Sequence, residues 1–122
     1  MTWTTPTKNL DQRVEAGATW LDTYGPADWA QRVEPARLHM ASAYRCVLGQ
    51  VFADRAIADR GEEEDGYSYA CDLAVENGSA GNDPGFLWGQ THGFAGNEGD
   101  LNALEGRWLR LIADRAATLA PA

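Results

Sequence analysis

The sequence predicts a mainly α fold, a compact bundle of about four helices around one buried helix at 42–53, on three observations. Apolar residues recur at i, i+3, i+4, i+7 and i+8, the spacing of one helix face. Capping and stop residues stand at the ends of those runs. No charge occurs between Arg45 and Asp54, the mark of a helix buried on several sides.

Asn9 with Gln12 three residues on forms a capping box, and Leu10, Val14, Gly17, Ala18 and Leu21 follow at helical spacing. Trp20 widens the stripe and Gly25-Pro26 stops it, which predicts a helix over 10–24. A short helical turn after Pro26 ends at Glu34-Pro35, and Arg37-Leu38-His39-Met40 alternates as a short extended piece would. The next helix is the hub: Ser42 caps it, and Tyr44, Val47, Leu48, Val51 and Phe52 form its apolar face. Its other face carries Ala43, Cys46, Gly49, Gln50 and Ala53. Gly49 costs about 1 kcal/mol of helix propensity against Ala, so it predicts a neighbouring backbone in close approach. Asp54–Arg60 prolongs this helix until Gly61.

After the acidic run Glu62-Glu63-Glu64-Asp65, a helix is expected to begin after Gly66. Tyr67, Ala70, Cys71, Ala74 and Val75 form its stripe and Asn77-Gly78 its stop. Seven of the 13 glycines fall within 78–99 and punctuate Phe86, Leu87, Trp88 and Phe94. This segment reads as a long Gly/aromatic loop or a short hairpin pairing Phe86-Leu87-Trp88 with His92-Gly93-Phe94. The last helix starts near Leu101, capped by Asp100, with Leu101, Leu104, Trp108, Leu111, Ile112 and Leu119 inward. Arg107, Arg110 and Arg115 suit its C-terminal half through the helix dipole. Residues 9–119 are expected to form one domain, with tails at 1–8 and 120–122.

The 122 residues carry a net charge of −8. Phosphate binding rests on Lys and Arg, so this balance opposes nucleic-acid binding and repels an anionic membrane. It suits a basic protein partner. No apolar run approaches the ~18 residues of a membrane span, and no secretory core precedes Lys8, so the chain is expected in the cytosol.

Cys46 and Cys71 are expected to be reduced there. With His39 and His92 they make four potential zinc ligands, but no pair is two to four residues apart. No metal or cofactor is expected. Gly85, Gly89, Gly93, Gly96 and Gly99 lack the Gly-Lys-Ser/Thr of a phosphate loop. Asn82-Asp83 and Asn97-Glu98-Gly99-Asp100 are explained as turns.

Three pieces form a pattern: Gly17-Ala18-Thr19-Trp20-Leu21-Asp22, Cys46-Val47-Leu48-Gly49-Gln50-Val51-Phe52, and the glycine-aromatic segment before a Trp-containing last helix. In that order they resemble a family of small proteins encoded by actinobacteriophages, the phages of mycobacteria and their relatives. The chain departs from that pattern after Phe52, where Ala53-Asp54-Arg55 replaces a glycine turn. The resemblance implies phage origin and action inside a bacterial host. It carries over no catalytic residue.

Two surfaces are candidates for binding. The carboxylates Glu62, Glu63, Glu64 and Asp65 fit either a cation or basic partner surface, or a solvated loop favouring the next helix start. Phe86, Trp88, His92 and Phe94 fit either a binding surface or a lid folded on the core. The expected function is a non-enzymatic accessory protein, monomer or homodimer, that binds and modulates a host protein. The alternatives are an acidic nucleic-acid mimic and a small enzyme gathering His39 or His92 with a carboxylate.

Overall fold

The computed structural model describes residues 9–80, 85–96 and 98–119. The expected tails at 1–8 and 120–122 lie outside them. Seven α-helices follow one another among the described residues, with no strand. They are α1 (Leu10–Tyr24), α2 (Trp29–Arg32), α3 (Val47–Val51), α4 (Ala53–Arg60), α5 (Gly66–Glu76), α6 (Gly85–Thr91) and α7 (Glu98–Leu119). A 3-10 turn, Pro35–Arg37, follows α2. The mainly α expectation holds. The number exceeds four because the turn after Pro26 forms α2, 85–91 is helical and the hub breaks at Phe52.

α1 begins as its capping box dictates. Gln12 N–H donates to Asn9 Oδ1 at 2.8 Å and Asn9 N–H to Gln12 Oε1 at 3.0 Å, satisfying two otherwise orphaned donors. Its buried stripe is Val14, Gly17, Ala18, Trp20 and Leu21, laid against α6 and α7. Gly25 N–H closes it on Leu21 O.

The hub helix is shorter than its periodicity predicts. Residues 42–46 form turns, and Cys46, not Ser42, is the N-cap, its Sγ accepting from Gly49 N–H at 3.3 Å. The cause is tertiary. Ala43 C=O accepts from Tyr67 N–H, and Arg45 C=O accepts from His39 N–H and Gln50 Nε2. Those carbonyls would otherwise serve a longer helix. Ser42 Oγ instead accepts from Tyr44 and Arg45 N–H. Tyr44, expected inside, is 57% exposed, and its hydroxyl donates to Glu63 O at 2.8 Å.

Val47, Leu48, Val51 and Phe52 are all fully buried, against α2, α4 and α5. The close approach expected at Gly49 is present twice. A Cβ there would collide with the Ala43–Tyr44 backbone, and one on Gly66 would stand 2.6 Å from Leu48 O and from Gly49 O. α3 and α5 therefore cross backbone to backbone at two glycines. Beyond Phe52 the helix resumes to Arg60 and ends at Gly61, whose φ of +118° suits glycine.

The expected hairpin at 86–94 is not formed: Gly85–Thr91 is α6, followed by a turn. Phe94 N–H and Ala95 N–H both return to Gly89 O, with Gly93 at φ +73°. The turn residues that read as hairpin punctuation are thus a helix C-terminal stop. Gly89 sits inside the helix because a Cβ there would lie 2.9 Å from Tyr67 Oη. The extended piece at 37–40 is likewise absent; Leu38 and Met40 are core residues in irregular chain. α7 starts at Glu98, three residues before Leu101.

The core is aromatic. Trp20 meets Trp88 edge-on at 5.0 Å, and Phe94 stacks on Trp108 at 5.4 Å and 12°. Trp29 meets Trp108 edge-on at 6.2 Å. Such pairs add to the burial they already make. α7 is tied to α1 and α2 by Asp22, which accepts twice from Arg115 (2.8 and 3.0 Å) and once from Trp29 Nε1 (2.9 Å). Arg115 and Arg107 (2.9 Å from Asp11) thus serve tertiary pairs rather than the helix dipole alone.

The Arg115 hydrogen bonds, aided by Trp29 and opposed by burial, hold the Asp22 carboxyl below the usual range. A depressed folded value contributes stability above the unfolded pKa of about 3.9, lost as pH falls through the folded value. Thermal melts between pH 6 and 2 should therefore show wild type losing more stability on acidification than Asp22→Asn. Parallel curves would remove the clamp's role.

Candidate functional site

Charge is unevenly distributed along the chain. Residues 54–76, which are α4, the 61–65 connection and α5, hold eight carboxylates against two arginines. Six of the eight net negative charges therefore fall in this helix pair. Its two cations are held by neighbours on the pair. Arg60 donates to Asp72 at 2.6 Å and lies 5.0 Å from the Tyr69 ring centroid. Arg55 lies 5.6 Å from the centroid of Phe52. Tyr69 donates to Asp59 at 2.7 Å, and this bond raises the phenol's pKa.

The four acids singled out in sequence divide here. Asp65 is the N-cap of α5, accepting from Ser68 N–H at 2.6 Å and from its hydroxyl at 3.1 Å. Its role is structural. Glu62, Glu63 and Glu64 are exposed, and their carboxylates make no hydrogen bond among the described residues. Tyr44, Ile57 and Val75, 45–57% exposed, add apolar surface on and beside the same pair.

The aromatic candidates go mostly to the core. Trp88 and Phe94 are each 1% exposed, which favours the packed-lid reading over a binding surface. His92 is half-buried, stacked on Trp88 at 5.1 Å, and its Nδ1 lies 2.9 Å from Trp88 O. That geometry assigns the proton to Nδ1. Phe86 belongs to α6, but its side chain lies outside the described residues.

His39 was named in sequence only as a possible ligand or base; it lies 3.8 Å from Glu105 in a depression also lined by Asn102. The pair is 66 positions apart in sequence, so only the fold brings it together. No hydroxyl or thiol lines that depression itself. Among the described residues no three His, Cys, Asp or Glu side chains converge. Both cysteines are free; burial pushes the Cys46 thiol up to about 12 and the Cys71 thiol to about 11. Neither is the thiolate that nucleophilic chemistry requires.

A concavity of about 690 Å³ runs between α1 and α7 over Val14 and Ala18. Its rim mixes Asp11, Glu15 and Asp114 with Arg107, Arg110 and Arg115. That mixture favours no ligand charge. No helix among the described residues is long and apolar enough to cross a membrane. Comparison with protein-family models, with curated proteins and with solved structures found no match to this chain.

Proposed function

We propose that this chain is a phage accessory protein that acts in the bacterial host cytoplasm by binding and modulating a host protein, without catalysis. The observation that supports it is the segregation of charge: the α4–α5 pair carries most of the net charge and presents Glu62, Glu63 and Glu64 to solvent, their carboxylates without a hydrogen bond among the described residues. The apolar groups beside them supply what a purely ionic patch lacks, area that gains from leaving water. The occupant that fits is a basic protein surface. The host setting rests on the sequence resemblance. The fold that goes with it is a compact bundle around residues 47–52, supported by the complete burial of Val47, Leu48, Val51 and Phe52.

The same charge concentration supports a second reading, an acidic nucleic-acid mimic that occupies a host DNA-binding site. The two share a surface and differ in whether DNA competes for the partner.

The test compares wild type with a Glu62→Gln, Glu63→Gln, Glu64→Gln triple variant by capture from mycobacterial lysate. Three charges at about 0.5 kcal/mol each make about a tenfold loss of affinity, reduced further by salt. A saturable partner lost from the variant and displaced by duplex DNA selects the mimic; one lost but indifferent to DNA selects the first reading. Identical recovery by both proteins would overturn the acidic surface as the site.

A further inference from the structure

A second concavity lies away from the acidic pair. It is about 220 Å³ and is walled by Met40, Cys46, Tyr67, Phe94, Ala95 and Leu101. Four segments meet there: the 40–46 turns, the start of α5, residues 94–96 and the first turn of α7. Its lining is mainly apolar. A cavity of about 150 Å³ already holds a benzene ring, so this one takes a ring with a short chain.

Ala41 and Leu101 also wall the adjoining depression of about 250 Å³ that contains Glu105, His39 and Asn102. The two spaces therefore meet over a shared edge, apolar on one side and polar on the other, the make-up of a small-molecule site. Glu105 is partly buried and spends one oxygen: Oε1 accepts from Met40 N–H at 3.1 Å and faces His39 Nδ1 at 3.8 Å. Oε2 has no partner among the described residues. No lysine or arginine lines either space. Burial keeps the Cys46 and Tyr67 groups protonated, so neither competes for a cation. The net charge of −8 also raises the local concentration of cations over anions.

We propose that these joined concavities bind a small organic amine, its aromatic or branched alkyl group among Met40, Tyr67, Phe94 and Leu101 and its ammonium on Glu105 Oε2. This site is separate from the acidic α4–α5 surface, so either can fail alone.

The probes are phenethylammonium and its anionic counterpart phenylacetate, titrated into the isotope-labelled full chain and followed by amide and methyl shifts. The amine is expected to bind with a dissociation constant below about 1 mM and to move Met40, Tyr67, Phe94, Leu101 and Glu105. Phenylacetate is expected to bind at least tenfold more weakly. Glu105→Gln, which keeps the acceptor for Met40 N–H, should weaken the amine at least tenfold without changing the melting temperature. Leu101→Trp, which fills the shared edge, should abolish binding of both probes. The proposal is overturned if the amine and phenylacetate bind alike, if Glu105→Gln leaves amine affinity unchanged, or if the shifts centre on Glu62–Glu64.

Discussion

Gly17→Ala should destabilise this protein by about 3 kcal/mol or more, although alanine is the better helix former. Propensity alone favours the change by about 1 kcal/mol in mid-helix. Packing reverses the sign. A Cβ on Gly17 would run into the carbonyl oxygen of His92 and would stand 2.9 Å from Phe94 Cζ and 3.0 Å from Trp108 Cζ2. None of these is the free end of a flexible chain. The carbonyl belongs to the turn after α6, and the rings are stacked on each other inside the core. Relief requires α1 to move off α6 and α7 together, and overpacking of rigid surroundings costs 1–3 kcal/mol, occasionally more. Gly106→Ala is the matched control. It lies in α7 with nothing within 4 Å of the added carbon, so it should stabilise by about 1 kcal/mol. Urea unfolding followed by circular dichroism reads both. Equal midpoints for the two variants would show that the α1–α7 seam yields freely.

Trp108→Ala should cost about 3–5 kcal/mol, a large share of the 5–15 kcal/mol that typically separates folded from unfolded chains. The indole is fully buried, stacks on Phe94, meets Trp29 edge-on, and donates from Nε1 to Gly93 O at 2.7 Å. It therefore joins α7 to α2 and to the turn that ends α6. Trp108→Phe separates the contributions. It keeps much of the ring area but leaves Gly93 C=O without its donor, a loss of about 1–3 kcal/mol. Near-ultraviolet dichroism should weaken in the tryptophan region in the Ala variant while far-ultraviolet helix content is partly kept. A Phe variant as unstable as the Ala variant would place the whole effect in the hydrogen bond. One as stable as wild type would place it in ring packing.

The parts of the fold readable from sequence are those with local causes. The capping box of α1, the Gly61 stop of α4 and the Asn77-Gly78 stop of α5 each rest on groups within four residues of one another. Periodicity also identified Val47, Leu48, Val51 and Phe52 as interior, because four apolar residues on one face have few other places to go. The readings that failed had non-local causes. Tyr44 fits the same stripe, but Ala43 and Arg45 give their carbonyls to Tyr67, His39 and Gln50, so the helix starts after it. The 86–94 segment carries enough glycine to read as a hairpin, yet Gly89 is there to clear Tyr67, and Gly93 closes a helix.

The candidate sites divide in the same way. The acidic run is visible as a run of letters, and its exposure follows from charge alone. That Arg60 is held by Asp72 and Tyr69, while the Glu62, Glu63 and Glu64 carboxylates make no hydrogen bond among the described residues, needs coordinates. The meeting of His39 with Glu105 beside the Met40–Leu101 cavity has no sequence signal, since 66 positions separate the two side chains.

By itself the sequence determined the helical class, the ends of α1 and α5, the buried hub and the acidic balance. Each follows from hydrogen bonds or burial preferences that act within a few residues. Only the tertiary structure decided where the hub helix begins, that the glycine-aromatic segment is a helix packed into the core, and which charges remain without partners. Those outcomes depend on which backbone groups and side chains are claimed by distant elements, a competition settled only when the helices pack.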